Sequence, residues 1–218
     1  MRQEMLRRIA RLYLWATHRL YNELAFLYDL ASWLVSAGHW AEWRDISLEY
    51  VAGARVLDVG FGTGELLAEL AGHGVRACGL EPSWAMQRVA ARKLRHRGIA
   101  VPRICGRVQA FPVADSCFDT IISTFPADYI ADIDALREIR RALRRPTGTD
   151  DSGGRLVIVG LAVYRVGETV PRRFHVEETD PGMQRFCDRL STAGLSARPI
   201  SRYQGASRVP VVLAERWP

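Results

Sequence analysis

Lysine and asparagine are almost missing from this 218-residue chain: Lys93 is the only lysine and Asn22 the only asparagine. The 30 basic residues are therefore nearly all arginine, and against 24 acids they leave a net charge of +6. That balance permits contact with nucleic acid or an anionic membrane without demanding it. Cysteine is scarce and scattered (Cys78, Cys105, Cys117, Cys187), with no C-x-x-C pair. A disulfide framework or structural zinc site finds no support, and a reducing cytoplasm fits better. His18, His39, His73, His96 and His175 do not fall at metal-ligand spacings, so no metal is expected. No uncharged apolar run reaches about 18 residues, so no transmembrane helix is expected. The first twenty residues carry Arg2, Arg7, Arg8, Arg11 and Arg19 and lack the clean apolar stretch of a secretory signal. What is present is ordinary for a globular protein: 48% apolar and 25% charged residues. The length suits one domain with an appendage.

The first fifty residues read as helices. Leu6, Ile9, Leu12, Tyr13, Ala16 and Leu20 share one helical face, with arginines opposite. A second apolar stretch runs from Tyr21 to Val35 and stops at Ser36-Ala37-Gly38, and a third short helix covers His39 to Val51. These segments have no evident core of their own, so residues 1–50 are read as a helical cap on a core of residues 51–218. From Arg55 the pattern changes to short apolar strands alternating with amphipathic helices. Strands are expected at 56–59, 75–80, 101–105, 117–123 and 155–160, with helices at 65–71, 83–95, 130–143 and 181–193. Two last strands, near 197–203 and 209–215, have no helix between them and should pair antiparallel at the sheet edge. The alternation predicts a mostly parallel sheet covered by helices on both faces.

The informative stretch is Val56-Leu57-Asp58-Val59-Gly60-Phe61-Gly62-Thr63-Gly64-Glu65, a strand, a glycine-rich turn and a helix start. Its glycines are spaced G-x-G-x-G, not the G-x-G-x-x-G of nicotinamide and flavin sites. Dinucleotides place a pyrophosphate at such a helix N-terminus. Asp58 and Glu65 flank that place, and like charges about 4 Å apart cost roughly 1 to 4 kcal/mol. A cationic ligand such as S-adenosylmethionine (SAM) is attracted instead. Glu81, about 20 residues on at the end of the second strand, suits a ribose diol.

Val56 to Gly64, Gly79-Leu80-Glu81-Pro82-Ser83 with Met86, Gly106 to Pro112, Phe118 to Ser123, Leu136 to Ile139 with Leu143-Arg144, and Gly153 to Leu156 follow in order. Together they resemble the class I SAM-dependent methyltransferases, in particular the branch similar to ubiquinone and menaquinone biosynthesis C-methyltransferases. The resemblance covers about Val56 to Gly160. It implies a Rossmann-like αβα sandwich with a seven-stranded, mostly parallel sheet whose last strand is antiparallel. It implies that Asp58, with the backbone of Gly60, Phe61, Gly62 and Gly64, holds the methionine end of SAM. Glu81 is placed on the ribose, Pro82 and Trp84 against the adenine, and Val108 and Gln109 at the adenine edge. Ser123 and Thr124 would face the methyl group, and Tyr28, Phe125 and Tyr129 the acceptor. Arg107 departs from the pattern. Relatives often carry Asp there to accept from the adenine amino group, so adenine recognition falls to backbone groups or Gln109.

The methyl acceptor is narrowed by absence. The fourth strand ends Ser123-Thr124-Phe125-Pro126, without the Asn/Asp-Pro-Pro-Tyr signature that binds a planar amino group and without a Pro-Cys nucleophile. A small, largely apolar acceptor (quinone-, lipid- or phenol-like) fits, with His175 as candidate base. Three alternatives stay open: a SAM-binding protein without turnover, an RNA methyltransferase using the basic 88–107 stretch, and membrane contact through the first helix. Of the partners, nucleic acid is disfavoured against a small molecule.

Overall fold

The structure, a computed structural model, describes residues 28–148, 151–160, 163–164, 181–205 and 207–217. The expected first helix and His175 lie outside the described residues. The cap begins with α1 (Tyr28–Val35) and α2 (Trp40–Asp45), followed by a 3-10 turn at Ile46–Tyr50 where one longer helix was expected. The core then alternates β1 (Arg55–Val59), α3 (Glu65–Gly72), β2 (Arg76–Leu80), α4 (Trp84–His96), β3 (Arg103–Ile104) and β4 (Thr120–Thr124). It continues with α5 (Ile133–Ala142), β5 (Arg155–Val159), β6 (Val163–Tyr164), α6 (Pro181–Thr192), β7 (Leu195–Gln204) and β8 (Ser207–Arg216).

The strands β3, β2, β1, β4 and β5 are neighbours in that order and parallel. β8 runs antiparallel to β5, with Val157 opposite Leu213. β7 covers the other flank of β8 over its whole length, as the short connection between them requires. The two residues of β6 pair with Ser207 and Arg208 of β8. β7 already occupies the far flank there, so β6 prolongs the line of β5 past Gly160, whose N–H bonds the Pro210 carbonyl at 2.8 Å. The sheet thus has seven positions, mostly parallel with β8 antiparallel, as the resemblance implied.

Strand alternation sends successive side chains to opposite faces. Leu57, Val59, Ile121, Leu156 and Ile158 pack with α5 and α6 through Leu136, Ile139 and Leu190. Val56, Ile122, Val157 and Val159 face the other way, onto Leu66 and Leu70 of α3 and onto Trp43 and Ile46 of the cap. The cap therefore contributes side chains to one of the two main core layers. The expected helix at 130–143 starts later. Residues Asp128–Ala131 form a 3-10 turn, and Asp132 caps α5 by accepting from the Asp134 N–H at 3.0 Å. At the end of the sheet away from the glycine turn, Asp119 accepts from the N–H groups of Ala54 and Arg55 and pairs with the Arg55 guanidinium at 2.8 Å. Among the described residues no helix is long and apolar enough to cross a membrane.

Candidate active site

The parallel strands all end on one edge, the place where open α/β sheets bind ligands. There the chain leaves β1 through Gly60, Gly62 and Gly64, all at positive φ (73°, 53° and 82°), a region that disfavours side chains. A Cβ on Gly60 would lie 2.7 Å from Tyr129 Oη, and one on Gly64 2.9 Å from Ala90 Cβ. The loop is thus fitted between the turn after β4 and α4. The ring of Phe61 is buried beneath it with Leu67 and Leu94, so only the Phe61 backbone can face a ligand.

Glu81 reaches under the loop. Its carboxylate accepts from the Gly62 N–H at 3.3 Å and the Ser83 N–H at 2.8 Å. A carboxylate offers about four lone-pair sites, so capacity remains for a diol. Burial raises its pKa, partly offset by the Ser83 and Gly62 N–H groups. The amide of Gln87 clamps the ends of β2 and β3 by donating to the carbonyls of Glu81 and Ile104 at 3.0 and 2.9 Å.

A cavity of about 370 Å³ opens beside this loop. Val59, Gly60, Leu80, Pro82, Val108, Gln109 and Tyr129 line it, with Gly106, Arg107, Asp128 and Asp132. The size lies within the range of small-molecule sites, roughly 300 to 1,000 Å³. Gln109 donates to Asp132 Oδ2 at 2.8 Å. Of the residues expected around the cofactor, Gly60, Pro82, Val108 and Gln109 meet here, joined by Tyr129. Trp84 does not: it is 69% exposed at the start of α4 and lies outside the cavity wall. Ser123 is fully buried, its hydroxyl 2.7 Å from that of Tyr129 and 3.3 Å from the Val59 carbonyl.

Asp58 is the electrostatic centre. It is 1% exposed, and neither carboxylate oxygen has a hydrogen-bond partner among the described residues. A buried polar group left so costs about 1 to 3 kcal/mol, more when charged. Burial pushes its pKa up to about 7, with Arg44 lowering it and Glu81 raising it. A cation seated at the end of β1 would relieve that cost, and the ammonium of SAM is one, so the residues present fit the cofactor. Arg44, buried on α2 and bonded to Asp45 at 2.6 Å, escaped the sequence reading because only the fold brings it near Asp58. Glu65 requires a correction. It pairs with Lys93 and Arg97 at 2.7 Å each. Burial raises its pKa, but those two cations outweigh it and hold it low. Its charge is compensated inside the protein, so the charge argument against a pyrophosphate is left to Asp58.

On the cap side, Tyr28 meets Trp40 edge-on at 6.4 Å, and Trp40 lies 4.1 Å from the ring of Phe125. Phe125 follows β4 directly and holds a φ of 48°, which is uncommon for a bulky residue. Such backbone strain clusters at functional sites. Thr124 precedes it, half-buried. The three aromatics form one wall between α1, α2 and the end of β4. The basic 88–107 stretch is broken up, since Lys93 and Arg97 serve Glu65 and Arg107 faces the cavity.

Known proteins agree with this geometry. Residues 56–148 match the methyltransferase domain family. A demethylmenaquinone methyltransferase of Thermus thermophilus is 33% identical over 147 residues, which is 64% of this chain and 63% of that protein. A ubiquinone/menaquinone biosynthesis C-methyltransferase of Pectobacterium carotovorum is 30% identical over 64% of this chain and 57% of its own length. The chain thus spans a little under two thirds of these relatives. The solved structure of a SAM-dependent methyltransferase from Aquifex aeolicus superposes with a TM-score of 0.58 over 81% of this chain and 90% of that one, at 19% identity. The glycine turn, the strand order with its antiparallel β8 and the methyltransferase domain matched over residues 56–148 together make this chain similar to the class I SAM-dependent methyltransferases.

Proposed function

We propose that the protein transfers a methyl group from SAM to a small, largely apolar acceptor, and that residues 1–50 and 51–218 work as one unit of cap and core. The observation that carries this is the unpartnered, buried Asp58 carboxylate, next in sequence to Val59 of the cavity wall, with Glu81 between the lining residues Leu80 and Pro82. Asp58 and the backbone of Gly60, Phe61, Gly62 and Gly64 would hold the methionine end. Glu81 would take the ribose hydroxyls. Leu80, Pro82, Val108 and Gln109 would enclose the adenine, with Arg107 at its rim unable to accept a hydrogen bond from it.

When bound, SAM supplies a methyl group already activated by its sulfonium. The chain then has to align the acceptor atom with the methyl and keep water out. Orientation of this kind supplies about 7 to 11 kcal/mol of a barrier. Tyr28, Trp40 and Phe125 offer a wall suited to a flat, apolar ring. The names of the two curated relatives favour a quinone-like acceptor here also. The acceptor atom forms a bond to the methyl carbon, the carbon–sulfur bond breaks to leave a thioether, and any acceptor proton passes to a base. His175 is the proposed base, tested by His175→Asn against a reduced-quinone or phenol panel. A SAM-binding protein without turnover is the second reading, favoured by a Ser123 hydroxyl committed to Tyr129 and Val59.

Calorimetric titration with SAM, S-adenosylhomocysteine and NAD tests the cofactor. The expected result is micromolar binding of the first two and none of NAD. Preference for NAD would overturn the reading of the loop. Methyl transfer to none of the panel, with the cofactor bound, would move the second reading forward.

A further inference from the structure

Asp29 stands in the first turn of α1 and is bonded on both oxygens. Oδ1 accepts from the Thr63 hydroxyl at 2.7 Å, and Oδ2 accepts from the Lys93 ammonium. Lys93 also donates to Glu65 Oε1 at 2.7 Å, while Arg97 donates to Glu65 Oε2 at 2.7 Å. One ammonium thus joins the cap helix, the first turn of α3 and the last turn of α4. Two carboxylates face two cations, so the cluster is balanced.

Thr63 is the centre of the glycine loop, 4% exposed between two glycines at positive φ. Toward α4 the loop packs closely, since a Cβ at Gly64 would lie 2.9 Å from that of Ala90. On its other side it is held by Asp29. The helix that carries Asp29 also carries Tyr28, which meets Trp40 and through it Phe125. Seating α1 therefore sets both the loop and the aromatic wall. The side chains of Asp29 and Lys93 are 44% and 26% exposed, so as an ion pair they contribute little to overall stability. Their placement, not their strength, is what matters: they span the boundary between cap and cofactor loop.

We propose that Lys93 is a positioning residue which, through Asp29, fastens the cap helix to Thr63 of the glycine loop, so that cofactor binding and seating of the cap are coupled. The inference rests on the reading that this loop holds SAM. A ligand that orders the loop then favours the seated cap, and the seated cap slows release of the ligand.

The test is titration of the full chain with S-adenosylhomocysteine at low and high salt, for wild type, Lys93→Met, Lys93→Arg, Asp29→Asn and the double variant Lys93→Met/Asp29→Asn. Each of Lys93→Met and Asp29→Asn is expected to weaken binding by about three- to tenfold with little change in melting temperature. The double variant should be no weaker than either single one, Lys93→Arg should recover most of the affinity, and the salt dependence of wild type should shrink in the variants. Wild-type affinity in Lys93→Met, additive losses in the double variant, or no recovery with Arg would overturn the proposal. Should Lys93→Met fail to fold, Asp29→Asn, which keeps the Lys93–Glu65 pair, carries the test. Absence of binding in wild type would instead overturn the cofactor reading beneath it.

Discussion

Tyr129 Oη lies 2.7 Å from Ser123 Oγ, and both oxygens lie within reach of the Val59 carbonyl, at 3.0 and 3.3 Å. Two hydroxyl protons serve three contacts, so one hydroxyl donates to Val59 and the other to its neighbour. The pair seals the ends of β1 and β4 together beneath the point where Gly60 turns the chain. A side chain at Gly60 would have to displace Tyr129.

Gly60→Ala should therefore weaken S-adenosylhomocysteine binding by at least about tenfold and destabilise the fold by about 1 to 3 kcal/mol. Adding Tyr129→Phe removes the oxygen that the new methyl would meet and should restore part of the loss. Thermal melts and titrations of the single and double variants check this, and equal losses in both would show that φ alone is responsible.

Asp58 gives a pH prediction. Its pKa rises from an ordinary 3.8 to about 7 in the folded chain, through burial, with Glu81 adding and Arg44 opposing. Between about pH 4 and 7 the folded state binds more protons than the unfolded state. This group's contribution to stability therefore falls as pH rises through that window and is level above it. Binding of a cation needs the ionised form, so affinity for S-adenosylhomocysteine should improve from pH 5.5 to 7.5, by up to about tenfold per unit below 7. Asp58→Asn should flatten both profiles and weaken binding at pH 7.5.

Glu81→Ala should cost about ten- to a hundredfold in S-adenosylhomocysteine affinity, since hydrogen bonds to a charged group contribute about 1.5 to 3 kcal/mol. It also frees the Gly62 and Ser83 N–H groups, so Glu81→Gln should retain more of the affinity.

Trp84→Ala is the control. With its ring 69% exposed and outside the cavity wall, affinity should stay within about twofold of wild type. A larger loss would bring the ring back against the adenine.

Asp119 lies at the other end of the sheet. Asp119→Ala removes the acceptor for Ala54, Arg55 and the Arg55 guanidinium and should lower stability by about 2 to 3 kcal/mol with ligand affinity retained. The Arg55 hydrogen bond, against a smaller effect of burial, holds its pKa low. The stabilisation is therefore present above the unfolded carboxylate value, near 3.9, and is lost as pH falls through the folded one. Urea titrations at pH 7 and pH 3 would show the difference from wild type closing.

Much of this was legible in the chain because the signals are local. Three glycines in five residues announce a turn that needs positive φ, and Val56 to Val59 announces the strand before it. Glu81 follows at the distance a βαβ unit dictates. The missed parts depend on tertiary placement. Asp29 and Lys93 are 64 residues apart, and nothing near either one marks them as partners. Arg44 reads as one more surface arginine until the cap is laid on the sheet. Asp128 and Asp132 stand one helical turn apart, so composition alone cannot say which caps α5; the structure chooses Asp132. The exposure of Trp84, first residue of α4, is likewise set by how that helix lies on the sheet and by no signal in its neighbours.

A chain with one lysine has one side-chain amine, and here that amine is held between two carboxylates. An acylating reagent must find it released before it can react. Its labelling rate, followed by the mass of the peptide that carries it, therefore reports how often the ammonium leaves Asp29 and Glu65, obtained without altering the sequence.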